Sequence, residues 1–286
     1  MELTNINDIK ALLSRHGFRF SKSMGQNFLT AAWVPEDIAE AAGLDEHTGV
    51  LEIGPGIGCL TEQLSMRAGK VVAVELDTAL KPVLAETLAG RSNVEIVYGD
   101  VLKLNIPELL DEKMPEQRRV VCANLPYNVT GPVISGLLKC GCFDSVTVMI
   151  QREVARRICA GPGTGDYGAF TVFVNWYAQP ELLFDVAPDC FIPQPKVTSS
   201  VIRLDCRKTP PVEVRSEELF MRVVRAAFAQ RRKTLLNALS SALGELSKES
   251  IEKCLTNSGF DPKVRGEVLS IGEFAKIADA FYEVLE

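Results

Sequence analysis

The chain has 286 residues, 47% of them hydrophobic, and a formal net charge of −6, which leaves room for one large domain and a smaller one around ordinary apolar cores. No apolar run approaches the ~20 residues of a membrane span, and Met1-Glu-Leu-Thr-Asn5 lacks the basic-then-apolar order of a signal peptide, so a cytoplasmic protein with no membrane partner is expected. Eight cysteines without a Cys-x-x-Cys pair, and two distant histidines, His16 and His47, predict buried reduced thiols and no metal. The acidic balance argues weakly against a polyanion partner, but where charges lie matters more than their sum.

Residues 1–30 are more basic than the rest, with Lys10, Arg15, Arg19 and Lys22 leading into Ser23-Met-Gly-Gln-Asn27-Phe28-Leu29. A polar, Gly-containing stretch ending in two large apolar residues reads as an arm that docks through Phe28 and Leu29. A helix follows over Pro35–Ala42, closed by Gly43 in a C-terminal capping position. Next comes Val50-Leu-Glu52-Ile53-Gly54-Pro-Gly56-Ile-Gly58, an apolar strand running into a glycine-rich turn and then a helix, where backbone can approach a ligand closely. The strand Val71–Asp77 ends in Glu75-Leu-Asp77, carboxylates able to accept from ribose hydroxyls about 20 residues after Gly54. A third strand over Val94–Tyr98 ends in Gly99-Asp100, and a fourth over Arg119–Ala123 ends in Asn124.

Four successive strands that end in polar groups, with crossovers between them, give the expected fold class: α/β, a doubly wound Rossmann-like sheet with a nucleoside-like ligand across its carboxyl edge. The glycines read Gly-x-Gly-x-Gly, not the Gly-x-Gly-x-x-Gly of a pyrophosphate fingerprint. Together with Glu52 before the loop and Asp100 after the third strand, this fits the sulfonium amino-acid tail and adenine of S-adenosylmethionine better than a nicotinamide dinucleotide, which stays as the alternative.

The turn Asn124-Leu125-Pro126-Tyr127 reads as the substrate site. Asn offers an acceptor oxygen and two donor hydrogens, Pro leaves its carbonyl free, and Tyr presents a flat face for a nucleobase. Together they suit an exocyclic amine on an aromatic ring. The sheet is expected to continue through Val146–Gln151, with a helix over Arg152–Ala160, a loop over Gly161–Gly168 and a long β-prone run over Ala169–Tyr177. Val186–Val197 is Pro-rich and irregular, and Ser199–Leu204 reads as the last strand. Pro210-Pro211 marks a boundary, placing one domain at 1–208 and a small all-helical C-terminal domain at 209–286. Ser216 reads there as an N-cap and Ser270-x-x-Glu273 as a capping box. Five basic residues and no acidic one lie between Arg222 and Lys233. On a helical wheel Arg222, Arg225, Arg232 and Lys233 share about a third of the circumference, as a solvated face or a phosphate-binding stripe.

Gly25-Gln-Asn-Phe-Leu29, Glu52-Ile-Gly-Pro-Gly56, Glu75-Leu-Asp77, Gly99-Asp100, Asn124-Leu-Pro-Tyr127, Tyr167-Gly168, Phe191-Ile-Pro-Gln-Pro-Lys-Val197 and Phe228-Ala-Gln-Arg-Arg-Lys-Thr234, in that order, resemble the motifs of the ribosomal RNA adenine N6-dimethyltransferase family. The resemblance implies an S-adenosylmethionine-dependent methyltransferase, with S-adenosylhomocysteine as product. It implies that Asn27, Leu29, Gly54, Glu75, Asp100 and Asn124 contact the cofactor. It also implies that Asn124 and the Pro126 carbonyl hold the target amine, and that Tyr127 and Phe191 sandwich the base. Arg222, Arg225, Arg232 and Lys233 become candidate RNA contacts. The branch it looks most like acts as a monomer in small-subunit ribosome biogenesis, dimethylating two adjacent adenosines near the 3′ end of 16S ribosomal RNA. Two further readings stay open: a large-subunit RNA methyltransferase of the macrolide-resistance type, and an assembly factor whose methylation is incidental.

Overall fold

The structure, a computed structural model, describes residues 1–20 and 25–285; Lys22, Ser23 and Met24 of the expected arm lie outside the described residues. The chain divides into two compact units, Met1–Ala155 with Gln179–Cys206, and Arg156–Ala178 with Arg207–Glu286. The third division point, after Cys206, falls two residues before the expected 208/209 boundary. Residues 156–178, which that boundary leaves with the first domain, group with the helical unit.

In the first unit α1 (Ile6–Arg15) starts at Asn5, whose side chain accepts from the Asn7 and Asp8 N–H groups, satisfying donors that a helix start leaves open. The short strand β1 (Phe28–Leu29) precedes α2 (Trp33–Ala41), which ends at Gly43 with φ +62° as expected. Four parallel strands follow at regular intervals: β2 (Thr48–Ile53), β3 (Lys70–Glu75), β4 (Val94–Tyr98) and β5 (Arg118–Asn124). Their crossovers carry α3 (Cys59–Ser65), α4 (Lys81–Thr87) and α5 (Ile106–Lys113). Helix α6 (Thr130–Cys140) leads to β6 (Ser145–Gln151), parallel to β5. After α7 (Arg152–Ile158), β7 (Ala178–Val186), the two-residue β8 (Phe191–Ile192) and β9 (Ser199–Cys206) complete the strands. The seven-stranded order is β4-β3-β2-β5-β6-β9-β7, with β9 antiparallel to β6. From β2 the chain winds outward one way to β4, then returns to β5 and winds the other way, so the sheet switches direction between β2 and β5. Ligands of open α/β sheets bind outside the carboxyl ends of the strands at such a point. Val50, Leu51, Val120, Val121, Cys122 and Ala123 are fully buried, the near-continuous apolar run of strands covered on both faces. A single core cluster joins α1 to α4 with Val50, Val71, Val120 and Cys122.

Three expectations change. Residues 169–177 form a helix, α8 (Ala169–Tyr177), not a strand. Its β-branched and aromatic residues suit either state, and tertiary burial decides: Val172 and Trp176, one helical turn apart, enter the second unit's core, where the Trp176 ring stacks on Phe220 at 4.3 Å. The strand comes one element later, as β7, whose Gln179-Pro180-Glu181 disguises it; Pro is tolerated there because β7 lies at the sheet edge. Third, α9 (Glu217–Ala229) stops before Arg232 and Lys233, and Gln230 leaves helical geometry at φ −135°, ψ 71°. The four expected cations therefore do not share a helical face: Arg222 and Arg225 are on α9, while Arg232 and Lys233 are in the turn that follows.

The second unit is completed by α10 (Leu235–Ala242), α11 (Lys248–Asn257) and α12 (Ile271–Leu285). Ser216 caps α9 by accepting from the Leu219 N–H, and the Ser270/Glu273 capping box forms in both directions. The Tyr167 hydroxyl donates to the Leu269 carbonyl at 2.8 Å, tying the expected loop into the same core. No described helix is long and apolar enough to cross a membrane.

Candidate functional site

At the carboxyl ends of β2 to β5 the first unit carries an open cleft of ≈ 1140 Å³. Gly54, Gly56 and Gly58 adopt φ of +71°, +60° and +92°, the left-handed region that costs other residues ~1–2 kcal/mol each. At Gly56 a Cβ would also meet Phe28 ring carbons at 3.2 and 3.3 Å, so the docked arm and the turn close on one another. At Gly54 the nearest atom to a Cβ is Pro126 Cδ at 4.0 Å, which leaves that backbone open to the cleft.

Phe28 and Leu29 are buried and pair with Ile192 and Phe191 as a two-stranded ribbon, as the docking of the arm required. This pairing brings Asn27 to the cleft, where its carbonyl lies 3.5 Å from Asn124 Nδ2. Gln26 Nε2 donates to Asp77 Oδ2 at 2.7 Å, joining the arm to the end of β3. Of the expected site residues, Asn27, Leu29, Gly54, Glu75, Asp100, Asn124, Pro126 and Tyr127 all line the cleft. Phe191 does not: it is 5% exposed and packs in the core beside Leu29.

Two carboxylates are sunk into the floor. Glu75 is buried and accepts from the Asp77 N–H at 2.7 Å and the Gly56 N–H at 3.2 Å. Burial raises its pKa, and those donors oppose the rise. Glu52 is 1% exposed, and its Oε2 has no hydrogen-bond partner among the described residues. Burial above all pushes Glu52 up to about 8, with the Thr61 hydroxyl opposing and the Glu75 charge adding to the rise. A buried carboxylate with one oxygen left unpartnered is costly to keep ionised. Asp100 accepts from the Leu102 N–H at 3.0 Å and faces Lys103 at 3.6 Å.

In the Asn124–Tyr127 turn, the Leu125 N–H donates to the Met149 carbonyl at 3.1 Å. The Pro126 carbonyl accepts twice, from the Val129 N–H at 3.2 Å and from the Thr130 hydroxyl at 3.2 Å, which uses both of its lone pairs. The Leu125 carbonyl receives no donor among the described residues. The Tyr127 hydroxyl lies 2.8 Å from Ser199 Oγ. Sequence reading missed Gln26, Leu125, Thr130 and Ser199. Thr130 was findable, since it falls one turn after Pro126 at a helix start, but nothing local signals Ser199.

In the second unit Arg222 pairs with Glu245, holding that carboxyl below its usual value. Arg225, Arg232 and Lys233 are exposed and make no ion pair among the described residues.

The family model described as "Ribosomal RNA adenine dimethylase" matches residues 17–282. The chain is 50% identical over 275 residues to "Ribosomal RNA small subunit methyltransferase A" of Geobacillus thermodenitrificans, covering 95% of this chain and 94% of that one. It is 47% identical over 277 residues to the protein of the same description in Clostridium botulinum, covering 96% and 99%. Among solved structures it is similar to the 23S rRNA methyltransferase ErmE (TM-score 0.67, 28% identity, 88% of this chain and 98% of that one). It shares its fold with a dimethyladenosine transferase from Plasmodium falciparum (TM-score 0.73, 24% identity, 89% and 97% covered). Matched by the family model over nearly its whole length and half identical to such relatives, the chain belongs to the ribosomal RNA adenine dimethylase family that its motifs resemble.

Proposed function

We propose that this protein dimethylates the N6 amines of two adjacent adenosines near the 3′ end of small-subunit (16S) ribosomal RNA, with S-adenosylmethionine as methyl donor, during ribosome biogenesis in the cytoplasm. The observation that carries the reading is the meeting of arm, glycine turn, β3 end, β4 end and Asn124 around one cleft. The cleft fits the cofactor on three counts: open backbone at Gly54, an orphaned buried carboxylate oxygen at Glu52 suited to a cation, and Glu75 placed to accept from hydroxyls. Asn27, Leu29, Gly54, Glu75, Asp100 and Asn124 are the residues proposed to hold it. When bound, it supplies a methyl group made electrophilic by a sulfonium centre.

The chain's own part is positioning. An adenine amine is a weak nucleophile because its lone pair is delocalised into the ring. Acceptors for both of its hydrogens draw the nitrogen toward a tetrahedral shape and free the lone pair. Asn124 Oδ1 is one acceptor. The second is placed at the Leu125 carbonyl rather than at Pro126, whose carbonyl already has two donors. Well-oriented positioning is worth up to ~7–11 kcal/mol. The methylated ammonium that forms is acidic and loses its proton readily, so no tuned base is required. Tyr127 offers the stacking face, and Phe191 backs the arm through Leu29. Since base–aromatic stacking is worth ~1–3 kcal/mol, one such face repays much of the cost of extracting the base from its own stack. The helical unit, with Arg225, Arg232 and Lys233, is proposed to bind RNA phosphates.

The test is tritium transfer from labelled cofactor to small ribosomal subunits lacking the modification, with large subunits in parallel and nucleosides identified after digestion. Label in N6,N6-dimethyladenosine of the small subunit is expected. Label confined to the large subunit would overturn the substrate assignment.

A further inference from the structure

A phenylalanine would offer a nucleobase the same flat face as Tyr127. What the tyrosine adds is a hydroxyl, and its one partner among the described residues is Ser199 Oγ at 2.8 Å, 72 positions away. Ser199 opens β9 in register with Gln151 of β6 and is 1% exposed, so its hydroxyl is carried by ladder-bonded backbone inside the sheet. The Tyr127 side chain has two soft torsions that the turn's backbone does not fix. A bond at the far end of the ring restrains both. Burial also raises the pKa of Tyr127, which keeps the phenol protonated. From the other side, the buried Thr130 hydroxyl donates to the Pro126 carbonyl at 3.2 Å and reaches the Tyr127 carbonyl at 3.4 Å.

We propose that Ser199 is a positioning residue for methyl transfer, pinning the Tyr127 ring beside Asn124 so that the stacking wall is preset before RNA arrives, while Thr130 pins the backbone of the same turn. The inference rests on the reading of this turn as the base site. It adds that the wall is held by β9, a strand outside the cofactor-binding half of the sheet. Loss of the clamp thus acts on the base and not on the cofactor.

The experiment compares wild type, Ser199→Ala, Ser199→Thr, Tyr127→Phe and the Ser199→Ala/Tyr127→Phe double variant. The readouts are methyl transfer to unmodified small subunits, S-adenosylhomocysteine affinity by calorimetry, and NMR of tyrosines labelled at Cζ. With five tyrosines, the signal lost in Tyr127→Phe assigns that residue. Each single removal is expected to lower kcat/KM about 3- to 10-fold, the size of one neutral hydrogen bond, with the double variant no worse than the worse single. Ser199→Thr should restore most of the rate. Cofactor affinity should hold, the melting temperature should fall by no more than about 2–4 °C, as the loss of one hydrogen bond requires, and the Tyr127 Cζ resonance should move in Ser199→Ala. Wild-type rates in Ser199→Ala, losses that multiply in the double variant, or an unmoved Cζ resonance would overturn the proposal. A wild-type protein that transfers no methyl would instead remove the reading of the site, and the Cζ resonance would still decide whether the clamp exists.

Discussion

Replacing Glu52 by glutamine exchanges one carboxylate oxygen for an amide and removes a charge that the fold is poorly equipped to hold. In the folded protein this carboxyl loses its proton at about 8 instead of the ordinary 4.5. Between those values the native state keeps a proton that the unfolded chain has released. The free energy of unfolding therefore falls as pH rises, by about 1.4 kcal/mol per pH unit and at most about 5 kcal/mol across the window. The stabilising contribution is complete below pH 4.5 and gone above 8. Urea melts of wild type and Glu52→Gln from pH 5 to 9 isolate this effect, because contributions of distant groups cancel in the difference. The variant should gain relative stability steadily to about pH 8 and then level off. Parallel curves would refute the reasoning. A ligand carrying an ammonium group near Glu52 should also force ionisation, so S-adenosylmethionine binding near pH 7 should release a proton, seen as buffer-dependent heats. Adenosine, which lacks the amino-acid tail, should release none through Glu52.

Asn124→Ala should lose methyl transfer by orders of magnitude while RNA affinity is kept, and near-wild-type turnover would remove Asn124 from the mechanism. Gly56→Ala combines a positive φ with contacts to the Phe28 ring at 3.2 and 3.3 Å. It should cost ~1–3 kcal/mol in thermal melts and weaken cofactor binding by calorimetry. Changing Arg225, Arg232 and Lys233 together to Glu, with Arg222 left to its Glu245 partner, should weaken RNA binding and flatten its salt dependence by about one unit of log–log slope per cation. Cofactor affinity should not change, and unaltered RNA affinity would return these cations to an ordinary solvated face.

The parallel half of the sheet was legible because each of its strands is announced twice, by an apolar run and by the polar turn that ends it. Val50–Ile53 before Gly54, and Val71–Glu75 before Asp77, need no partner to be recognised. The antiparallel end has no such punctuation. β7 carries a proline and alternates imperfectly, and the preceding nine residues have stronger strand propensity yet fold as α8, because Val172 and Trp176 find a core partner in Phe220. Propensity is a local quantity, and the choice here was made by a residue more than 40 positions away. Similarly, the end of α9 was hidden because nothing between Ala229 and Lys233 is a strong helix breaker. The turn is set by the backbone bond from the Lys233 N–H to the Gln230 carbonyl.

The site divides along the same line. Residues that work through their own backbone turn, such as Gly54, Asp100 and Asn124, are readable from order and spacing. Residues that work through a distant partner are not: Gln26 to Asp77 and Tyr127 to Ser199 are contacts between segments 51 and 72 positions apart. The two kinds also differ in what their loss should do. A residue of the first kind is part of the surface that meets the ligand, so its removal acts on binding or transfer directly. A residue of the second kind holds such a surface still, and its removal is felt as lost preorganisation, smaller in size and no greater when both partners are changed together. The acid excess of the whole chain is read in the same way. The second unit carries a net charge of +2 and the first −8, so the whole excess sits in the first, where buried Glu52 and hydrogen-bonded Glu75 face the cleft rather than an approaching RNA. Net charge averages over these positions, whereas RNA responds to the few exposed cations within a Debye length of its phosphates.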